Sequence, residues 1–263
     1  MLSTSPLHTR LLGEEGPLVA FCHGLFGQGK NWTTIAKELA TDHRVLLVDM
    51  PHHGRSPWRD RFDYVDVADQ VAELFTADDP VALVGHSMGG KAAMVLALRH
   101  PALVERLCVV DVSPVAYQKM SEFSGYIQAL QGIDLGRIER RSDADAALVD
   151  AVPNRTVRSF LLQNLHQDDG VWSWRPNLAV LGRDLAVLGG WPDDALAGTA
   201  PYDGKTLWVN GQNSDYVRPE YVLAMDRWFP HNRRVTIKNA GHWVHSEQPE
   251  VFTEVLRRFL DAP

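Results

Sequence analysis

The chain has 263 residues, is 45% hydrophobic and 22% charged, and carries a formal net charge of −7; that is enough for one large α/β domain with a small insertion. The acidic balance, with no cluster of Lys and Arg, excludes a nucleic-acid or anionic-membrane partner. No segment approaches the roughly 18 apolar residues of a membrane span, and MLSTSPLHTRLLGEEG has no apolar run of signal length, so a cytoplasmic protein is expected.

In chain order, PLVAFC (17–22) reads as the first strand. Asn31 is placed to cap the helix NWTTIAKELA, with Trp32, Ile35, Ala36 and Leu39 on one face. RVLLVDM (44–50) is a strand, VDVADQVAELF a helix, PVALVG (80–85) a strand and KAAMVLALRH a helix. RLCVVDV (106–112), KTLWVN (205–210) and RRVTIK (233–238) complete the strands, and EVFTEVLRRFL is the closing helix. These runs are rich in Val and Leu and do not alternate with polar residues. They therefore read as strands buried on both faces, in a mostly parallel sheet covered by helices. Cys22 and Cys108 fall inside two of them. Buried thiols of that kind suit a reducing compartment and not a disulfide scaffold or a catalytic thiolate.

The alternation breaks between Pro114 and Ala200. This stretch shows helical periodicity and no strand, and it holds Trp172, Trp174 and Trp191. About 85 residues is too long for a crossover loop, so 115–199 is expected to be an inserted helical cap on a core of 1–114 and 200–263.

VALVGHSMGGKAAM (81–94) is the stretch richest in chemistry. It places Gly85-His86-Ser87-Met88-Gly89 between a strand and a helix, the G-x-S-x-G pattern of a sharp turn that exposes a serine hydroxyl. The Met88 amide, at the helix N-terminus, would face an oxyanion formed at Ser87. A second donor is expected from the loop after His23-Gly24, at Leu25 or alternatively Phe26. A serine nucleophile needs a base, and His242 in NAGHWVHSEQP is the best placed, with His245 its competitor. His86 is expected to point away from Ser87 and pack. His43, His100, His166 and His231 lie in polar or helix-end contexts. The orienting acid could be Asp111, at the end of an apolar strand, or could come from GQNSDYV. Asp49, His52 and His53 in DMPHHGRSP could be mistaken for metal ligands. Adjacent histidines diverge on an extended chain, and no metal is expected.

HGLFGQ, DMPHHGRSP, GHSMGGKAAM, VVDVSP, GQNSDYV and AGHWVHSEQP occur in the order found in the α/β-hydrolase superfamily, and the chain most resembles YbfF-type serine esterases and their mitochondrial relatives. The resemblance implies a helical cap over a serine hydrolase site acting on carboxylic or thioester acyl groups without a cofactor. It implies Ser87 as nucleophile, His242 as base, and Leu25 and Met88 as oxyanion donors. Many relatives carry the acid in the loop where this chain has Ser214. YbfF-type proteins have Ser there and the acid on the earlier strand, which implies Asp111, with Ser214 assisting. Asp215, one residue along, is a departure from that pattern; so is Pro51, where relatives often have Arg. The expected function is hydrolysis of short to medium acyl esters. Phe26, Phe160, Trp172, Trp191 and Trp243 are the expected pocket residues. Acyl transfer, C–C bond hydrolysis and a non-catalytic ligand receptor are the alternatives on this fold. A dehalogenase would have Asp at position 87.

Overall fold

The computed structural model describes residues 6–118 and 120–262. Its strands are β1 (Thr9–Leu12), β2 (Leu18–Cys22), β3 (Arg44–Val48), β4 (Val81–His86), β5 (Val104–Val110), β6 (Leu165–Asp168), β7 (Val171–Trp174), β8 (Lys205–Gly211) and β9 (Asn232–Ile237). Seven of them form one sheet in the order β1-β3-β2-β4-β5-β8-β9. All its pairings are parallel except β1 with β3.

The apolar runs explain this sheet. Every residue of β2 and β4 is buried. Val19, Phe21, Val84, Cys108 and Val209 face one side, packed with Ile35, Leu39, Phe252 and Leu256. Ala20, Cys22, Leu83, Val109 and Trp208 face the other, packed with Val67, Val71 and Val95. The covering helices are α1 (Thr33–Leu39), α2 (Tyr64–Ala72) and α3 (Met88–Arg99), joined late in the chain by the closing helix at Pro249–Leu260. Asn31 does not cap α1. It lies in a preceding 3₁₀ turn, where its side chain accepts the Gln28 amide at 2.7 Å.

Between β5 and β8 lie α4 (Ser121–Gln131), α5 (Arg141–Leu148), α6 (Arg155–Leu162), α7 (Leu178–Arg183) and α8 (Leu185–Gly189). The expectation of no strand here is corrected by the antiparallel hairpin β6–β7. Its two-residue turn, Asp169-Gly170, has φ of 49° and 82°, as a tight hairpin turn of this twist demands. Polar contacts tie the insertion to the core. Asn164 donates to Phe26 O at 2.7 Å, Phe62 N donates to Asp184 at 2.8 Å, and Tyr64 donates to Leu188 O at 2.8 Å. The remaining helices are α9 (Val222–Trp228), α10 (Val244–Glu247) and α11 (Pro249–Leu260). No helix among the described residues is long and apolar enough to cross a membrane.

The topology positions a site. From β2 the chain moves to β3 on one side, and β4 then pairs with β2 on the other. Such a reversal opens a crevice outside the carboxyl ends of the two flanking strands. His23–Phe26 follow β2 and Ser87 follows β4 at that crevice, with Asp111, Ser214 and His242 on the loops after β5, β8 and β9.

Candidate active site

Ser87 sits between β4 and α3 with φ 52° and ψ −118°, a conformation costing on the order of 1–3 kcal/mol in a non-glycine residue. Its neighbours hold it there. Its amide donates to Val110 O at 3.0 Å, and its carbonyl accepts the Lys91 amide at 3.0 Å. The flanking glycines are required by close approach. A Cβ on Gly85 would lie 2.7 Å from Gly90 Cα, and one on Gly89 would lie 2.5 Å from His23 O.

His242, on the loop after β9, meets Ser87. The serine hydroxyl donates to His242 Nε2 at 3.1 Å, and His242 Nδ1 donates to Asp111 Oδ2 at 2.7 Å. Asp111 is fully buried at the end of β5, with φ 51°. A buried carboxylate is costly unless hydrogen-bonded. Asp111 is bonded on both oxygens: Oδ1 accepts the Gly211 amide at 3.2 Å, and Oδ2 accepts the Ser214 hydroxyl as well as His242. Asp215 is not in this chain of bonds; its carboxylate is 89% exposed and pairs with Arg218 at 3.5 Å.

Three further residues hold the His242 loop. Tyr216 stacks on the His242 ring at 4.2 Å between centroids. Glu247 accepts the amides of Gly241 at 2.8 Å and Trp243 at 3.2 Å, bracketing the histidine. His86 is buried and donates from Nε2 to the His242 carbonyl at 2.9 Å, so its expected packing role extends to fixing this loop. Burial first, then the charge of His242, push the His86 pKa well below the usual histidine range. None of these roles was read from the sequence, although a Glu placed six residues after Gly241, beside a short helix, is a backbone-capping signal.

His245 turns the other way and stacks on Trp32 at 4.1 Å. Burial, and secondarily the charge of His242, lower its pKa to about 3. The unfolded chain therefore takes up a proton near the ordinary histidine value of 6.5 that the folded state refuses down to about 3. In that window the unfolded state binds more protons, so stability rises with pH and is lost on acidification. His245→Phe should flatten the dependence of the urea midpoint on pH between those values. An unchanged slope would contradict the assignment.

On the opposite side of Ser87, a turn at Gly24–Gly27 closes through Gly27 N to Gly24 O at 2.9 Å. His23 fixes its base: Nδ1 donates to Gly24 O at 2.8 Å, and Nε2 accepts the Met50 amide at 2.9 Å. Leu25 is buried in this turn, and Met88 opens α3, where its amide has no carbonyl partner within the helix.

Two small cavities flank Ser87. One, of about 30 Å³, is lined by Leu25, Met88, Lys91, Val112 and Phe123 among others. The second, about 10 Å³, is lined by Phe26, Phe123, Phe160, His242 and Trp243 among others. Phe160 meets Trp243 at 5.9 Å between ring centroids. Trp172 and Trp191 line neither cavity, which corrects their expected place in the pocket. Trp191 is buried against Trp228 at 6.4 Å, and Trp172 lies on β7. Their large apolar area went into packing the insertion and not into the pocket. Met120, Phe123, Tyr117 and Tyr216 take up lining positions that the sequence did not mark.

Asp49, His52 and His53 serve their own loop. Asp49 accepts the amides of Gly29 at 2.7 Å and Arg55 at 2.9 Å, and His53 Nδ1 donates to Pro51 O at 3.0 Å. Among the described residues no group of three or more His, Cys, Asp or Glu side chains could hold a metal ion.

A mostly parallel sheet with Ser87 on a strand-to-helix elbow, in line with a histidine and a buried aspartate, is the arrangement of an α/β hydrolase. Residues 17–249 match the alpha/beta hydrolase fold family, and the chain belongs to it. It is 38% identical to the mouse protein sn-1-specific diacylglycerol lipase ABHD11 over 97% of this chain and 85% of that one. It is 30% identical to Esterase YbfF of Escherichia coli K12, over 92% of each chain. Among solved structures, "Marine microorganism esterase" superposes with a TM-score of 0.91 at 32% identity, covering 98% of this chain and 100% of that one.

Proposed function

We propose that the protein is a serine carboxylesterase acting on short to medium acyl esters through an acyl-Ser87 intermediate. The observation that carries this reading is the bonded line from Ser87 through His242 to buried Asp111. His242 Nε2 takes the Ser87 proton as the oxygen attacks the ester carbonyl. Asp111 holds the Nδ1–H tautomer and stabilises the imidazolium. Ser214 and the Gly211 amide bond the Asp111 carboxylate and keep it aimed at His242. The amides of Leu25 and Met88 receive the oxyanion. The imidazolium protonates the departing alcohol; neutral His242 then draws a proton from water as it attacks the acyl carbonyl, and returns that proton to Ser87 Oγ as the acyl–oxygen bond breaks and the acid leaves. Every step is a proton transfer or acyl transfer, so the cycle needs no cofactor.

The insertion, 115–199, acts as the cap, since Phe123 and Phe160 close the cavities beside Ser87. A small-molecule ester is the substrate class supported by the relatives named esterase and lipase. A reducing, cytoplasmic setting accords with the free buried thiols of Cys22 and Cys108.

Cavities of about 30 and 10 Å³ leave little room beside Ser87, so each added methylene presses on Phe123 of α4 and Phe160 of α6. A misfitting methylene costs about 1–3 kcal/mol. Nitrophenyl acetate to butyrate should therefore exceed the octanoate ester in kcat/KM by roughly tenfold or more, and Phe123→Ala should narrow that gap. A wild type without activity on any ester in the series would refute the proposed function; a rising trend to octanoate would refute the pocket size.

A further inference from the structure

Lys91 is a buried charge that the proposed hydrolysis does not use. It lies on α3, is only 1% exposed, and lines the 30 Å³ cavity together with Ser87. Its Nζ donates to Gly189 O at 2.7 Å and Gly190 O at 2.5 Å, and lies 4.6 Å from the Tyr117 ring centroid. Among the described residues no carboxylate forms an ion pair with it, and burial alone lowers its pKa to about 7. Of the residues lining that cavity, Lys91 is the only one whose side chain can become a cation. The two tyrosines beside it have other partners: Tyr64 donates to Leu188 O at 2.8 Å, and Tyr117 donates to Tyr216 O at 2.6 Å.

A buried ammonium without a counter-ion costs several kcal/mol. Tying α3 to two carbonyls of the insertion does not require a charge, because a neutral donor would do so with less desolvation. An anion bound in the cavity would make the charge favourable. The helix geometry brings that anion into line with the reaction. Lys91 is one α-helical turn beyond Ser87, a rise of about 6 Å, and side chains on a helix lean back toward its N-terminus. The cavity that both groups line is small, and its wall combines apolar residues such as Leu25, Met88, Val112 and Phe123 with the tyrosines Tyr64, Tyr117 and Tyr216. The apolar part of that wall suits methylenes that displace Phe123 as they enter, and the ammonium suits a carboxylate at their far end.

We propose that Lys91 determines acyl specificity, its ammonium binding the terminal carboxylate of short dicarboxylic acids presented as half-esters. This rests on Ser87 as the nucleophile of the esterase reaction. The free carboxylate of the half-ester would meet Lys91 while its ester carbonyl meets Ser87, so the alcohol leaves on the side of Phe160 and Trp243.

The test compares ethyl hydrogen glutarate with ethyl valerate, which matches its length and lacks the charge, by quantifying released ethanol. Turnover of nitrophenyl acetate is followed alongside. Wild type should favour the glutarate in kcat/KM by about 10- to 100-fold, the scale of one charge-assisted hydrogen bond. Lys91→Met should bring the ratio to 1 or below, and Lys91→Arg should keep it above 1. Fluorophosphonate labelling of Ser87 and a cooperative thermal transition show that each variant is folded. A wild-type ratio at or below 1 overturns the assignment, even if Lys91→Met does not fold. So does a Lys91→Met variant that is folded and keeps the wild-type ratio. Absence of nitrophenyl acetate turnover in the wild type would instead remove the esterase reading itself.

Discussion

Ser87→Ala should lower kcat toward nitrophenyl esters by about 10⁶-fold, the loss seen when another serine hydrolase loses its nucleophile. The size follows from the geometry. His242 Nε2 has Ser87 Oγ at 3.1 Å as its partner, so removing the hydroxyl removes both nucleophile and proton donor. The proposed oxyanion amides of Leu25 and Met88 remain, as does the pocket, which leaves a slow residual reaction with water. The fold should survive, because what holds the elbow is backbone: Ser87 N to Val110 O and Lys91 N to Ser87 O, each 3.0 Å. Ser87→Gly should be equally inactive yet more stable, since glycine accepts φ 52° without the strain that Ser and Ala share. Equal melting temperatures for the Gly and Ala variants would contradict the strain assigned to the elbow.

Asp111→Asn should cost about 10⁴-fold in kcat, the figure for the same change in another triad. An amide at this position can present its NH₂ to His242, favouring the wrong imidazole tautomer and leaving the imidazolium without a buried counter-charge. Asp215→Asn should change kcat by less than about threefold, because an exposed ion pair such as Asp215–Arg218 is worth about 0–1 kcal/mol. Ser214→Ala should fall between them, since its hydroxyl bonds Asp111 Oδ2 but carries no charge. The measurement is kcat for the three variants at one pH. A larger loss at Asp215 than at Asp111 would reverse the assignment of the acid.

The parts of this molecule that were legible in the sequence are those with a strong local signature. The sheet could be read because VALVGH and LVAFC are apolar throughout, as strands buried on both faces must be. The elbow could be read because glycine at 85 and 89 leaves room for a helix and a strand to touch. Asp111 was pointed to by its own cost: a carboxylate closing a buried strand needs partners, and it has them.

What was not legible has equally physical causes. TRLL of β1 is a short antiparallel edge strand, half exposed, with no alternation to mark it. The β6–β7 hairpin is polar along LHQD, which hid it, yet Asp169-Gly170 was a turn signal that could have revealed it. The pocket failed at Trp172 and Trp191 because a tryptophan inside an insertion is as useful for packing as for lining a cavity, and periodicity does not separate the two. His86 and Glu247 act through backbone contacts across the crevice, from His86 to the His242 carbonyl and from the Gly241 and Trp243 amides to Glu247. Such contacts exist only once β4 and β9 have delivered their loops to one end of the sheet.

The central claim is that Ser87 carries the acyl group, and covalent labelling tests it most directly. Wild type treated with a fluorophosphonate should gain the mass of a single adduct, mapped by peptide sequencing to Ser87 within the stretch GHSMGGK, with activity lost in proportion to labelling. Ser87→Ala should gain none. An adduct on any other residue, or a labelled Ser87→Ala protein, would contradict the account.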